Sequence, residues 1–147
     1  MKVLIAFDNS DASKEALKFG LKFKSIVDEY YIVYVTPTVI GAGPTFDSYV
    51  PPSVYQKQEE TAESIIAEAR EILEPEHVNA SFLKLDASGD QVAKVIIKTA
   101  VENGVDFILT GTRKLSGLSK MLLGSVSSEM IKLSEIPIMV IPPRSQD

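Results

Sequence analysis

Five short, mostly apolar runs separated by segments of helical periodicity constrain this 147-residue chain more than any other feature. The runs are KVLIAF (2–7), YYIVYV (30–35), ASFLKL (80–85), FILT (107–110) and IPIMVI (136–141). Apolar runs of this length read as strands covered on both faces. After the first, Ser10 is a plausible N-cap, and Ala12, Ala16, Phe19 and Phe23 recur at helical spacing. After the second, Ser53 is placed to start a long helix reaching about Leu73, with Ala62, Ile65, Ile66, Ala69, Ile72 and Leu73 as its apolar stripe. SGDQ at 88–91 reads as a capping box for a third helix, with Val92, Val95, Ile96 and Ala100 inward and Gly104 at its end. A fourth helix is expected from about Gly124 to Ser134, with Val126, Met130 and Leu133 in phase. This βαβαβαβαβ order predicts an α/β fold, a doubly wound parallel sheet with helices on both faces. Right-handed crossovers leave few topologies. With no repeat, linker or second core, residues 1–147 read as one domain with a loop at about 36–52 and a polar tail at 142–147.

Composition removes several function classes. The net charge of −5 and the pI near 4.9 argue against a nucleic-acid partner. No apolar run approaches the ~20 residues that a membrane-spanning helix needs. The start of the chain reads as a strand and not as a signal peptide, because Asp8 interrupts the apolar run and no small-residue cleavage site follows. There is no cysteine, hence no disulfide, thiolate metal site or cysteine nucleophile, and the expected location is cytoplasmic. The single histidine, His77, sits in the polar connector EPEHVNA, which leaves a Ser-His-Asp hydrolase without a base.

In a doubly wound sheet, ligands bind beyond the carboxyl ends of the strands, where the winding direction reverses. If the first strand is central, the ends at Asp8, Val35 and Gly111 converge on one crevice. Gly111 opens the stretch GTRKLSGLSKMLLGS (111–125), which holds basic residues and no acid. Gly124 and Ser125 open the last helix, whose free N–H groups favour an anion. Ser125 and Ser127 offer hydroxyl donors, and Arg113, Lys114 and Lys120 offer positive charge. Together these could cradle a di- or triphosphate; a glycine-rich, solvated surface loop fits the same residues. Asp8 would repel phosphate, so it either takes ribose hydroxyls or a cation, or caps the first helix. GAGPTF (41–46) begins like a dinucleotide fingerprint, but Phe46 stands at the third glycine; the P-loop pattern is absent.

VLIAFDNSDASKEAL, IVYV, GVDFILTGTRKLSG and LLGSVSSEMIKLSEIPIMVIP together resemble the universal stress protein family over essentially the whole chain. The resemblance implies a Rossmann-like five-stranded sheet of order 3-2-1-4-5 and a homodimer through the last strand, here Ile136 to Ile141. Its nucleotide-binding members carry glycine, two residues, glycine, nine residues, then glycine with Ser or Thr. Gly111 and Gly124–Ser125 match that spacing, and Lys114 replaces the middle glycine. By the same resemblance Asp8 meets the ribose and Val35 the adenine, with Ala6 lining the adenine pocket. Ser125, Val126 and Ser127 then meet the phosphates of ATP or AMP and any Mg²⁺, for which Ser125 is the candidate protein ligand.

Were φ positive at Lys114, the lysine would cost on the order of 1 kcal/mol against glycine. Its Cβ either obstructs a phosphate or its ammonium grips one. Three functions stay open: a nucleotide-regulated stress or signalling protein, a slow partner-dependent ATPase, and a homodimeric interaction module without nucleotide. The loop at 36–52 is either a lid or partner site, or an insertion without order. The triggering stress and the protein partner are not written in the sequence.

Overall fold

In chain order the elements are β1 (Lys2–Ala6), α1 (Asp11–Gly20), β2 (Glu29–Thr36), α2 (Pro52–Leu73), β3 (Ala80–Asp86) and α3 (Val92–Glu102). They continue as β4 (Phe107–Gly111), β5 (Arg113–Lys114), β6 (Met121–Leu122), α4 (Ser125–Leu133) and β7 (Ile138–Ile141). The structure, a computed structural model, describes residues 1–39, 50–114 and 121–144. Each expected apolar run becomes a strand of one all-parallel sheet of order β3-β2-β1-β4-β7, the order that the resemblance implies. β1 is central, with Val3 level with Tyr30 on one side and Phe107 on the other.

Strand alternation sends β1 side chains into two separate cores. Val3, Ile5 and Phe7 pack with Ala16 and Leu17 of α1 and Ile65 and Ala69 of α2. Leu4 packs with Ala93, Ile96 and Ala100 of α3 and Met130 of α4. The two helix pairs thus cover opposite faces. Leu4, Ile5, Ile32, Ile108 and Leu109 are fully buried, and each such side chain contributes about 1.5–3 kcal/mol by leaving water.

Several boundaries differ from expectation for local reasons. Ser10 does cap α1, accepting the N–H of Ser13 at 3.1 Å. The buried stripe of that helix is Ser13, Ala16, Leu17 and Gly20, and the helix tightens to a 3₁₀ turn over Leu21–Phe23. Ser53 does not cap α2; the helix starts one residue earlier, at Pro52, whose ring fits the first turn. The expected capping box at 88–91 does not form. Asp86 Oδ1 takes the N–H of Ser88, which has φ 50°, and α3 starts only at Val92 with no side-chain cap. Gly104 follows α3 at φ 66°, as expected of a helix-ending glycine. Leu133 faces outward at 45% exposure, although Met130 is buried as expected. The short antiparallel pair β5–β6 was read from sequence as loop. GAGPTF and Lys120 lie outside the described residues, as do most of the 36–52 loop and the last three residues of the tail.

Helix α2 is longer than the sheet needs. Its buried residues are Ala62, Ile65, Ile66, Ala69 and Leu73, so the first ten residues bury nothing fully. That overhang is tied to the edge strand by Lys84, which pairs with both Glu59 and Glu63. Hydrogen bonds to Glu59 and Glu63 raise the Lys84 ammonium above its ordinary pKa, and Lys84 lowers that of Glu63.

Tyr30 carries a buried hydroxyl that donates to the Gly20 carbonyl at 2.9 Å, joining β2 to the end of α1. Burial raises its phenol above the ordinary 10.0. Tyr30→Phe leaves that carbonyl without its partner and is expected to cost about 1 kcal/mol, or about 2–4 °C in Tm. A tyrosine whose folded pKa is raised holds its proton longer in the native state, so stability is lost as pH climbs past the unfolded value. Urea titrations above pH 10 should therefore show a steeper loss in the wild type than in Tyr30→Phe.

Candidate functional site

The chain reverses its winding at β1, and the carboxyl ends of β1, β2 and β4 open onto a cavity of about 530 Å³. That volume suits a small organic ligand. Its floor is apolar: Ala6 and Val33 from neighbouring strands, Val35 beyond them, Val92 and Ile96 from α3, and Val126 from α4. Polar residues line it as well: Asp8, Ser10 and Ser125, with buried Thr110 beneath. The sequence-derived candidates Ala6, Asp8, Val35, Gly111, Gly124, Ser125, Val126 and Ser127 all line this one cavity.

Asp8 is exposed at the end of the central strand. One carboxylate oxygen, Oδ1, accepts the Ser10 N–H at 2.9 Å, and the Asp8 N–H reaches Ser13 Oγ at 3.3 Å. The helix cap is Ser10, so Asp8 does not take the capping role. Asp8 organises the turn into α1, while Ser10 is the cap, and it does so on the wall of the cavity. Tyr34 joins it there; burial and then the Asp8 charge raise its phenol pKa, against a hydrogen bond from Thr36.

Gly111 has a structural reason to be glycine. A Cβ built there would lie 2.3 Å from the carbonyl oxygen of Ala12, so only a bare backbone lets α1 sit against the end of β4. Its own carbonyl accepts from Ser127 Oγ at 3.4 Å, which ties α4 to the same point. Ser127 is buried, and its observed partner is this backbone. Thr112 follows, 1% exposed, with its N–H on the Ile141 carbonyl at 3.0 Å.

Gly124 is the opposite case. It has φ −65° and nothing within 4 Å of where a Cβ would be. Neither backbone strain nor packing among the described residues calls for glycine there. As the N-cap of α4 it supplies no side-chain acceptor, so the first N–H groups of that helix have no side-chain cap. Between these glycines, Lys114 pairs with Met121 and Arg113 with Leu122 in the β5–β6 ribbon. An extended, paired backbone suits any residue, so the conformational cost anticipated for lysine in place of glycine does not arise.

Other lining residues escaped the sequence reading. Val33 was accessible by alternation from Val35, and Val92 with Ile96 by their one-turn spacing on a helix that leaves the same sheet edge. Ile65 and Tyr34 gave no comparable signal, because both belong to ordinary core patterns. His77 lies between α2 and β3, at the amino end of its strand and so at the opposite edge from the cavity. Among the described residues no group of three or more His, Asp or Glu is placed to hold a metal ion, and no helix is long and apolar enough to cross a membrane.

The universal stress protein family model matches residues 1–142. The chain belongs to the universal stress protein family. Among curated members, Universal stress protein YxiE of Bacillus subtilis is 31% identical over 147 residues, covering 95% of this chain and 97% of that one. Two solved universal stress proteins share the fold at lower identity. One from Archaeoglobus fulgidus, in complex with dAMP, is 21% identical, covers 96% of this chain and 97% of its own, and has a TM-score of 0.67. A family protein from Arabidopsis thaliana with AMP bound is 17% identical, covers 99% and 93%, and has a TM-score of 0.69.

The contact at Gly111 gives a direct test of this part of the universal stress protein fold. Gly111→Ala must push α1 away from β4 and is expected to cost about 1–3 kcal/mol. Thermal melts should fall by roughly 2–4 °C for each of those kcal/mol.

Proposed function

We propose that this protein binds an adenine nucleotide, AMP or ATP, in the crevice at the ends of β1, β2 and β4. On this reading the ligand regulates the interactions of a homodimeric, cytoplasmic stress-response or signalling protein. The observation that carries the reading is Gly124: a glycine that neither its backbone nor its described neighbours require, set at a helix start with no side-chain cap on the cavity wall. Its missing side chain keeps open the space that an anion would use, and the N–H groups there are the donors it would meet. The adenine would lie on Ala6, Val35 and Val126, with the ribose at Asp8. The phosphates would meet Ser125 and the backbone through Ser127, with Arg113 and Lys114 adding charge from the adjoining ribbon. Mg²⁺, if carried in with ATP, would share its phosphate oxygens with the Ser125 hydroxyl. The AMP and dAMP held by the two solved relatives support the ligand class.

Titration calorimetry with AMP and Mg·ATP tests the reading; absence of heat up to millimolar ligand would sink it. Gly124→Ser separates site from scaffold. Its hydroxyl caps α4 at the place reserved for phosphate, so stability is expected to rise by a few tenths of a kcal/mol. AMP affinity should fall by about tenfold, while adenosine binding stays unchanged.

The second reading, an interaction module of the same family that takes no nucleotide, rests on Lys114 standing where nucleotide-binding members carry the middle glycine. Binding that appears only in Lys114→Gly would establish it. Either reading keeps the dimer, supported by Met139 on edge strand β7, 36% exposed, and by Ile131 and Leu133 on the adjoining α4, 48% and 45% exposed. An uncovered apolar edge strand otherwise invites open-ended pairing. Sedimentation should show a dimer at micromolar concentration, and Met139→Lys should shift it to monomer.

A further inference from the structure

Asn103 is followed by Gly104, whereas Asn9 and Asn79, the other two asparagines, precede serine and alanine. An asparagine side chain is open to attack by the backbone nitrogen of the next residue, and glycine obstructs that approach least. Here the pair ends α3. Gly104 turns the chain at φ 66° and donates its N–H to the Val101 carbonyl at 3.2 Å, while the Val105 N–H reaches the Ala100 carbonyl at 2.9 Å. These two bonds make the helix-ending turn in which glycine takes the left-handed position. The Asn103 side chain is held too, its Nδ2 donating to the Thr99 carbonyl at 2.7 Å. Its backbone carbonyl accepts from the Lys2 ammonium at 3.3 Å, and Asp106 Oδ2 accepts the Lys2 N–H at 2.7 Å. Both reacting groups, the Gly104 nitrogen and the Asn103 amide, are therefore engaged elsewhere while the turn is closed. The turn nevertheless lies at the surface: Gly104 is exposed and Asn103 half-buried, with Val105 buried beneath. A surface helix end opens far more often than the whole fold does.

We propose that Asn103–Gly104 is a site of spontaneous deamidation, gated by opening of the last turn of α3. In the open turn the Gly104 nitrogen bonds to Asn103 Cγ and gives up its proton. The Cγ–Nδ2 bond breaks, and Nδ2 leaves with that proton as ammonia, closing a succinimide ring. Water then adds to one of the two ring carbonyls and the ring C–N bond at that carbonyl breaks, leaving isoaspartate or aspartate. Isoaspartate carries the chain through its Cβ, so the backbone gains a methylene and the two turn bonds no longer both close. Either product replaces the Nδ2 donor to Thr99 by a carboxylate, at the negative end of the helix and near Glu102 and Asp106 in the chain. The converted turn is thus biased open, which loosens the Lys2 contact between the α3–β4 connection and the start of the central strand. The turn lies at the amino edge of the sheet, opposite the crevice, so the inference does not rest on the nucleotide reading.

The test is to incubate the full chain in native buffer and in urea and to follow the peptides holding Asn9, Asn79 and Asn103 by mass spectrometry. Isoaspartate is scored by its methylation with an isoaspartate-specific carboxyl methyltransferase. Asn103 is expected to convert first of the three under both conditions. Its native rate should lie about ten- to a hundredfold below its rate in urea; were global unfolding required, the gap would be about a thousandfold or more. Hydrogen exchange at the Gly104 and Val105 amides should give a protection within about threefold of the same figure. Lys2→Ala withdraws the ammonium from the Asn103 carbonyl and should speed the native reaction about two- to threefold, with no change in urea. The purified isoaspartate form should melt about 2–4 °C lower than the unconverted protein. Faster conversion at Asn9 or Asn79 overturns the proposal, as does an Asn103 that converts in urea and never in the folded chain. Equal rates in buffer and urea, or a gap of the global size, overturn the gating by α3. An isoaspartate form that melts like the unconverted protein overturns the structural consequence.

Discussion

How closely α1 can approach the end of β4 decides the shape of everything at the carboxyl edge of this sheet. The distance is set by one missing side chain, since any Cβ at Gly111 would enter the Ala12 carbonyl. With that approach granted, the turn carrying Asp8 and Ser10 lies beside β4, and Ser127 can reach the Gly111 carbonyl from the opposite face. Two helices on different faces are thereby pinned to one residue. The crevice between them inherits its width from backbone packing, and close-packed backbone is the least deformable material a protein has.

The two outer glycines of the basic stretch consequently do different things. Gly111 serves the protein's own packing, whereas Gly124 answers no demand from the described residues. Motif glycines are often treated as one kind of feature, yet here a built Cβ separates them. The uncapped start of α4 adds to the contrast. A helix that could have been stabilised by serine or aspartate at its N-cap leaves its N–H groups to something else.

The fold was largely legible because its strands are apolar on both faces and its helices carry single stripes, so period alone separates them. Elements whose identity depends on neighbours were not. Ser53 lost its capping place to the proline before it, and Ser88 lost its own to the side chain of Asp86. Leu133 kept helical phase with Met130 but lies toward solvent, 45% exposed, where phase alone does not say which side is covered. For the site, strand ends named Asp8, Val35 and Gly111 correctly as neighbours. The reason for Gly111 was hidden, since a contact with Ala12 ninety-nine positions away leaves no trace in local pattern. Lys114 looked costly only while its backbone was unknown, and pairing with Met121 removes that objection.

The ion pairs that join Lys84 to Glu59 and Glu63 give the overhang of α2 a property that the rest of the helix lacks. The half over the sheet is held by apolar burial, which dissolved salt hardly weakens. The overhang is held by charge at the surface, where attraction is screened over about 8 Å at physiological ionic strength and over shorter lengths as salt rises. One continuous helix thus contains a part indifferent to the ionic composition of its surroundings and a part that registers it.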